Sequence, residues 1–148
     1  MRKIIFILIL IIVITGGWYV YSEYNRENAD LTKVEAKINI NAVDLVKAFD
    51  SDVVTANKKY LGKILAVTGT VTSIENNFTN ATIVLGDSLS LSAVRCSMDT
   101  TYIDAVSSIK VGQFITVKGH CTGFNESEIE ELGSDVILNE CVIKTMKN

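Results

Sequence analysis

Tyr60-Leu-Gly-Lys-Ile-Leu-Ala-Val-Thr-Gly-Thr-Val-Thr-Ser-Ile74 is the stretch whose reading decides the fold. Apolar and polar residues alternate along it with a period of two, the period of a strand. Leu65, Val67, Gly69 and Val71 share one face; Ile64, Ala66, Thr68, Thr70 and Thr72 share the other. A mid-strand glycine weakens a flat strand but permits a bulge or sharp bend. Gly69 is therefore where this strand is expected to curl and serve both halves of a barrel. The pattern returns fifty residues later, where Gly112-Gln-Phe-Ile-Thr-Val-Lys-Gly-His-Cys121 echoes Gly62-Lys-Ile-Leu-Ala-Val-Thr-Gly-Thr-Val71. Two strands that curve alike are expected to be neighbours closing the barrel.

Downstream, residues 75–80 read as a turn-forming loop with Phe78 in its middle, 81–86 as a second strand and Asp87-Ser88 as a turn. Residues 89–98 read as a third strand whose alternation slips between Leu91 and Val94. Residues 99–110 suit a short helix or loop, 111–122 a fourth strand, 123–133 a polar acidic loop, and 134–144 a fifth strand. On that last strand Ile137, Cys141 and Ile143 share a face, as do Ile115, Val117 and Cys121 on the fourth. Both cysteines are thus expected to point into the core.

Upstream, Leu45, Phe49, Val53, Ala56 and Tyr60 recur at helical spacing and predict one amphipathic helix over 42–60. Asn39 and Asn41 are candidate caps, Asp44 and the Lys58-Lys59 pair suit the helix dipole, and Gly62 ends the element. The apolar stripe is expected to pack on the barrel, with docking of a partner as the alternative. Residues 23–40 read as a polar juxtamembrane linker.

Ile4 to Ile14 is an unbroken apolar run that Trp18, Tyr19, Val20 and Tyr21 extend; Ile4 to Tyr21 is 18 residues, or about 27 Å as a helix, near the lower limit for crossing a bilayer. Arg2 and Lys3 precede it, which keeps the N-terminus cytoplasmic, and Trp18, Tyr19 and Tyr21 suit the outer interface. A transmembrane signal-anchor over 1–22 is the expectation, with residues 41–148 as the exported domain. Cleavage near Thr15-Gly16-Gly17, releasing that domain, is the alternative.

Arg2 and Lys3 are the only charges before Glu23, so the remainder carries 12 basic residues against 17 acidic. Such a domain lacks the clustered Lys and Arg of a nucleic-acid binder. Three cysteines in an exported domain permit one disulfide and a leftover thiol. Consecutive strands tend to pair, which favours Cys121–Cys141; Cys96, in phase with Val94, is the alternative partner of Cys141. A single histidine, His120, and no CxxC spacing give no metal motif.

Five strands, a short helix between the third and fourth, and a glycine-bent first strand make a mainly β, five-stranded OB-fold Greek-key barrel. The chain also resembles the tRNA anticodon-binding-like OB-fold family of small exported or lipid-anchored bacterial proteins. The resemblance rests on Ala56-Asn-Lys-Lys-Tyr-Leu-Gly-Lys63, Val67-Thr-Gly-Thr-Val71, Val94-Arg-Cys96, Lys110-Val-Gly-Gln113, Val117-Lys-Gly-His-Cys-Thr-Gly123 and Val136-Ile-Leu-Asn-Glu-Cys141. It covers about residues 41–146. It implies a bacterial envelope protein, and nucleic-acid binding by fold analogy only. Lipid-anchored relatives carry a cysteine after the apolar segment; this chain has none there.

An OB barrel binds with its second and third strands, framed by the loops that here span 75–80 and 123–134. Phe78 and Phe124 in those loops are candidates to stack on a sugar or base. Arg95, Lys118 and His120, at outward positions, are candidate anion contacts. Each also has a plain reading, as a loop plug or a solvated strand residue. His120 and Cys121, as strand neighbours, point to opposite faces and do not suggest a nucleophile and base. No phosphate loop, nucleophile elbow or zinc motif is present, and no cofactor is expected. The sequence therefore points to a non-catalytic binding module anchored in the inner membrane by residues 4–21. Its partner is read as an envelope protein or an oligosaccharide, with an oligonucleotide ranked last. A structural scaffold of the envelope is the competing reading.

Overall fold

In the computed structural model, which describes residues 15–18, 21, 31, 34–77, 80–127 and 133–144, the strand Ile64–Asn76 is shared between the two halves of a barrel. The elements in chain order are β1 (Ile38–Asn41), α1 (Ala42–Ser51), α2 (Val53–Tyr60), β2 (Ile64–Asn76), β3 (Ala81–Gly86), β4 (Ala93–Met98), a 3-10 turn (Thr100–Tyr102), α3 (Ile103–Val106), β5 (Phe114–Asn125) and β6 (Asp135–Ile143). The first half of β2 pairs antiparallel with β5, Leu65 opposite Gly119 and Gly69 opposite Ile115. Its second half pairs with β3. Thr70 is the handover, opposite both Gly86 and Phe114. β3 continues to β4, β4 runs parallel to β6, and β6 returns antiparallel to β5. The ring β2-β3-β4-β6-β5 closes, which is the OB barrel, and the two echoing strands are neighbours.

Gly69 has a different task from the one expected. The register of β2 shifts between Val71 and Ser73, so the irregularity lies beyond the glycine. A Cβ on Gly69 would stand 2.9 Å from the Ala42 Cβ and 3.3 Å from that of Leu85. The bare backbone there lets the start of α1 sit against the sheet.

Two boundaries also differ. The segment expected to be linker up to residue 40 is built into the fold at its end. β1 runs parallel to β2 with Ile38 opposite Leu65, Lys37 N–H donates to the Ile64 carbonyl at 3.1 Å, and Leu31 is buried. The helix expected over 42–60 is broken at Asp52, which adopts an extended backbone. Its N–H donates to the Ala48 carbonyl, ending α1, while its carboxylate accepts from Thr55 N–H at 3.0 Å and Thr55 Oγ1 at 2.6 Å, starting α2. One aspartate thus serves as the stop of one helix and the N-cap of the next. Those two hydrogen bonds from Thr55 hold the Asp52 carboxyl below its ordinary value.

The core is formed by the inward faces of the five barrel strands, with Leu65, Val67, Val71, Ile83, Leu85, Val94, Val117, Val136 and Leu138 fully buried. Leu45 and Phe49 of α1 and Val106 of α3 complete it. On β6 Val136 and Leu138 point inward and Ile137 does not; the phase then changes, Glu140 takes a left-handed φ of 55°, Cys141 turns inward and Ile143 packs against the core. The third strand starts at Ala93, because Leu89 and Leu91 belong to the exposed turn before it.

Cys96, Cys121 and Cys141 are all buried free thiols. No bridge joins Cys121 to Cys141 as the sequence led one to expect; Cys121 stands opposite Leu138, with Cys141 further along β6. Among the described residues no helix is long and apolar enough to cross a membrane. Residues 15–18 and 21 are helical, and most of the apolar run 4–21 lies outside the described residues.

Candidate functional site

The outer face of β3 and β4 is where an OB barrel presents its ligand groove. Alternation puts Thr82 and Val84 of β3 and Ala93, Arg95 and Ser97 of β4 on that face. Arg95 Nε donates to Asp135 Oδ2 at 2.6 Å, and its Nη1 lies 3.6 Å from Glu75 Oε1. The hydrogen bond to Asp135 holds the guanidinium even further above its ordinary pKa. The cation expected to meet an anion is thus flanked by two carboxylates. No aromatic side chain stands on this face among the described residues, and Phe78 lies outside them.

The remaining candidates are elsewhere. Phe124, expected in a loop, is the penultimate residue of β5, and its ring stacks on Phe49 with centroids 4.9 Å apart and planes at 19°. It closes the end of the barrel beneath α1. Lys118 is buried on β5, and its ammonium donates to the Val34 carbonyl at 2.7 Å. Its position in the ladder, opposite Ala66 and Val142, explains this: the chain before β1 lies over it. His120 is partly exposed, its Nε2 3.9 Å from a Glu140 carboxylate oxygen. Cys121 beside it faces the core, so the two do not meet. Burial pushes the Cys121 thiol up to about 11, which suppresses the thiolate at neutral pH. Lys118 and His120 share the outer face of β5; Arg95 is two strands away on β4, so the structure does not gather Arg95, Lys118, His120 and Phe124 into one site. Among the described residues no cluster of three His, Cys, Asp or Glu side chains is placed to hold a metal ion.

A concavity does exist on the other side of the barrel, and the sequence reading missed it. Between the 3-10 turn with α3 and the adjoining ends of β5 and β6 lies a groove of about 570 Å³ lined by Tyr102, Ile109, Gln113, Phe114, Thr116 and Ile143, among others. A tight turn builds its lip. Gly112 has φ +86°, its N–H donates to the Val71 carbonyl at 2.8 Å, and Gln113 N–H reaches back to Lys110 O at 3.1 Å. The turn delivers Phe114 to the first position of β5 on its outward face, 58% exposed. Below it Thr116 Oγ1 lies 3.1 Å from Thr68 Oγ1, and Lys144 N–H donates to Thr116 O at 2.9 Å. Lys144 also borders a second hollow of about 400 Å³, lined by Val34, Glu35, Asn39, Ala66 and Lys118. The signal for Phe114 was present in the parity of β5, where it shares phase with Thr116, Lys118 and His120 rather than with Ile115 and Val117. An exposed aromatic that lines a groove together with a few polar groups is a binding candidate.

A sequence search of curated proteins returned no match. Among solved structures, a protein of Klebsiella pneumoniae, provisionally described as a nucleic acid-binding lipoprotein, superposes over 81% of this chain and 100% of its own. The sequence identity is 13% and the TM-score 0.57, a likeness of fold. An OBody bound to hen egg-white lysozyme aligns over 57% of this chain and 84% of its own, at 13% identity and a TM-score of 0.43. The asparaginyl-tRNA synthetase of Pyrococcus horikoshii aligns over 57% of this chain and 20% of its own, at 13% identity and a TM-score of 0.40. The sequence model of the tRNA_anti-like family matches residues 1–142, nearly the whole length, and this chain belongs to that family.

Proposed function

We propose that the chain is a non-catalytic OB-fold binding module, tethered to the outer face of the inner membrane by residues 4–21. Its partner, on this reading, is an uncharged envelope component, an oligosaccharide or a protein segment, seated in the groove of Tyr102 and Phe114. The observation that carries this reading is the placement of Phe114. It is exposed at the rim of a groove whose volume falls in the usual range for small ligands, about 300–1,000 Å³. The face that an OB barrel ordinarily uses is instead weak for a polyanion, since Arg95 is held by Asp135 and Glu75. Gln113, Ser108 and Thr116 supply neutral hydrogen-bonding groups around the rings, and among the described residues Lys144 is the one charge in the lining.

The test is a titration of the isotope-labelled full chain in detergent with chito-oligosaccharides and, separately, with single-stranded oligonucleotides. The expected result is amide shift changes over residues 102–116 with the glycan, lost in Phe114→Ala. Binding of the oligonucleotide through residues 82–97, weakening steeply with salt, would overturn the proposal in favour of the second reading. That reading has one support, the Klebsiella relative's description. No response to either ligand, with stoichiometric co-purification of an envelope protein that survives Phe114→Ala, would favour a scaffold. The tether predicts that extraction from membranes needs detergent; release by salt alone contradicts it.

A further inference from the structure

We propose that Cys96 and Cys141 form a disulfide across the parallel seam of β4 and β6 when the chain folds in an oxidising compartment. Four features of the fold converge on this pair. Cys96 lies on the inward face of β4 between Val94 and Met98, fully buried. Cys141 is the register partner of Met98, and the ladder is irregular between Cys96 and Met98. The irregularity comes from β6. Continuing the alternation of Val136 and Leu138 would turn Glu140 into the core and Cys141 out to solvent. Glu140 instead adopts a φ of 55°, a conformation that residues other than glycine seldom take, and Cys141 is turned inward beside Cys96. On the far side, Gly119 of β5 leaves the room, since a Cβ there would collide with Cys141 Sγ. The neighbouring Cys96 thiol, together with burial, holds the Cys141 thiol well above its ordinary value, consistent with two sulfurs in each other's reach. Cys96 and Cys121 both stand opposite Leu138, on the two edges of β6, and of the two it is the Cys96 thiol that interacts with that of Cys141.

The step is thiol–disulfide exchange with a disulfide oxidant. One protein thiolate attacks a sulfur of the oxidant, forming a mixed disulfide and releasing the first thiol. The second protein thiolate then attacks the protein sulfur of that mixed disulfide, releasing the second thiol. Two electrons pass to the oxidant, and the two protons lost by the cysteines end on the released thiols. Both sulfurs are inaccessible in the finished barrel. Exchange therefore belongs to the stage at which β6, the last strand in the chain, docks on β4.

The decisive experiment uses the full chain in detergent, unfolded and reduced, then refolded in a mixture of oxidised and reduced glutathione, and finally unfolded again without reductant and treated with an alkylating reagent. Mass spectrometry is expected to find the alkylatable thiols reduced from three to one, at Cys121. The proteolytic map should contain a cross-linked pair of peptides bearing Cys96 and Cys141. Cys121→Ala should retain the cross-link, and Cys141→Ala should leave Cys96 and Cys121 both alkylated. The wild-type map decides even where a variant fails to fold. Three alkylated thiols in the refolded wild-type chain after that denaturing step, or a cross-link that includes Cys121, overturns the proposal.

Discussion

Lys118 and Val34 are 84 residues apart in sequence and 2.7 Å apart in space, ammonium to carbonyl. The contact fastens the chain before β1 onto the barrel wall, and the ammonium is buried beneath it. Hydrogen bonds to charged groups contribute about 1.5–3 kcal/mol. Lys118→Met, which keeps the aliphatic stem, is expected to lower unfolding free energy by about 2 kcal/mol. Amide exchange over residues 37–41 should quicken more than over β3 and β4. Equal protection of the two regions in the variant would show that the contact does not hold the segment.

The stack of Phe124 on Phe49 makes a contrasting pair of expectations. Phe124→Ala should destabilise the fold by about 2–3 kcal/mol, from lost packing and the aromatic pair term. It should leave the response of the Phe114 groove to ligand unchanged. Chemical denaturation and the glycan titration measure the two halves. A loss of binding with stability intact would return Phe124 to the ligand site.

The glycines of the two echoing strands can be tested by enlarging them. Gly69→Ala is expected to cost about 1–3 kcal/mol, as overpacking does. Part of that loss should be recovered in the double variant with Ala42→Gly, because the Ala42 Cβ is the nearest atom. Additive losses in the double-mutant cycle would place the strain elsewhere.

Asp50, near the end of α1, is held above its ordinary pKa by burial and by the nearby Glu126 carboxylate. For an acid with a raised folded pKa, the stability tied to its neutral form is present below the unfolded value. It is lost as pH rises through the raised folded value. Asp50→Asn should therefore raise the thermal midpoint at pH 7 relative to the wild type, and the gain should vanish when both are compared near pH 3. A gain that is the same at both pH values would contradict the assignment.

The barrel was legible because its period is unambiguous. Leu65, Val67 and Val71 alternate cleanly, and the echo from Gly112 to Cys121 marks the strand that pairs with them. Other features depend on single residues whose signals are ambiguous. Ile38 and Ile40 make β1 from only four residues in a polar context, and parallel pairing leaves no hairpin signature. Asp52 breaks the helix through a cap, while the apolar stripe runs on without a gap. Glu140 reverses the phase of β6 without a glycine to announce it, so a single alternation carried back from Cys141 and Ile143 puts Ile137 on the core face in place of Val136 and Leu138. At the candidate site, charge and aromaticity identified residues able to bind. Yet Arg95, Lys118 and Phe124 are engaged by partners distant in sequence, and only pairing geometry reveals that. Phe114 is readable by parity, since it shares the outward phase of β5 with Thr116 and His120, while the stretches expected as loops, with Phe78 and Phe124, hold the more familiar binding signals.

The early docking of the chain sets a leash. Between Tyr21 and Leu31, which is already buried against the fold, lie nine residues. Fully extended, they reach about 30 Å. With residues 4–21 in the bilayer, as proposed, the barrel stands no further from the membrane surface than about the depth of the bilayer's own hydrocarbon core, about 30 Å. A partner carried in the same membrane then meets it at high effective concentration without any gain in intrinsic affinity. A soluble one gains nothing from the tether. The short leash thus selects for neighbours by distance before any side chain selects by chemistry.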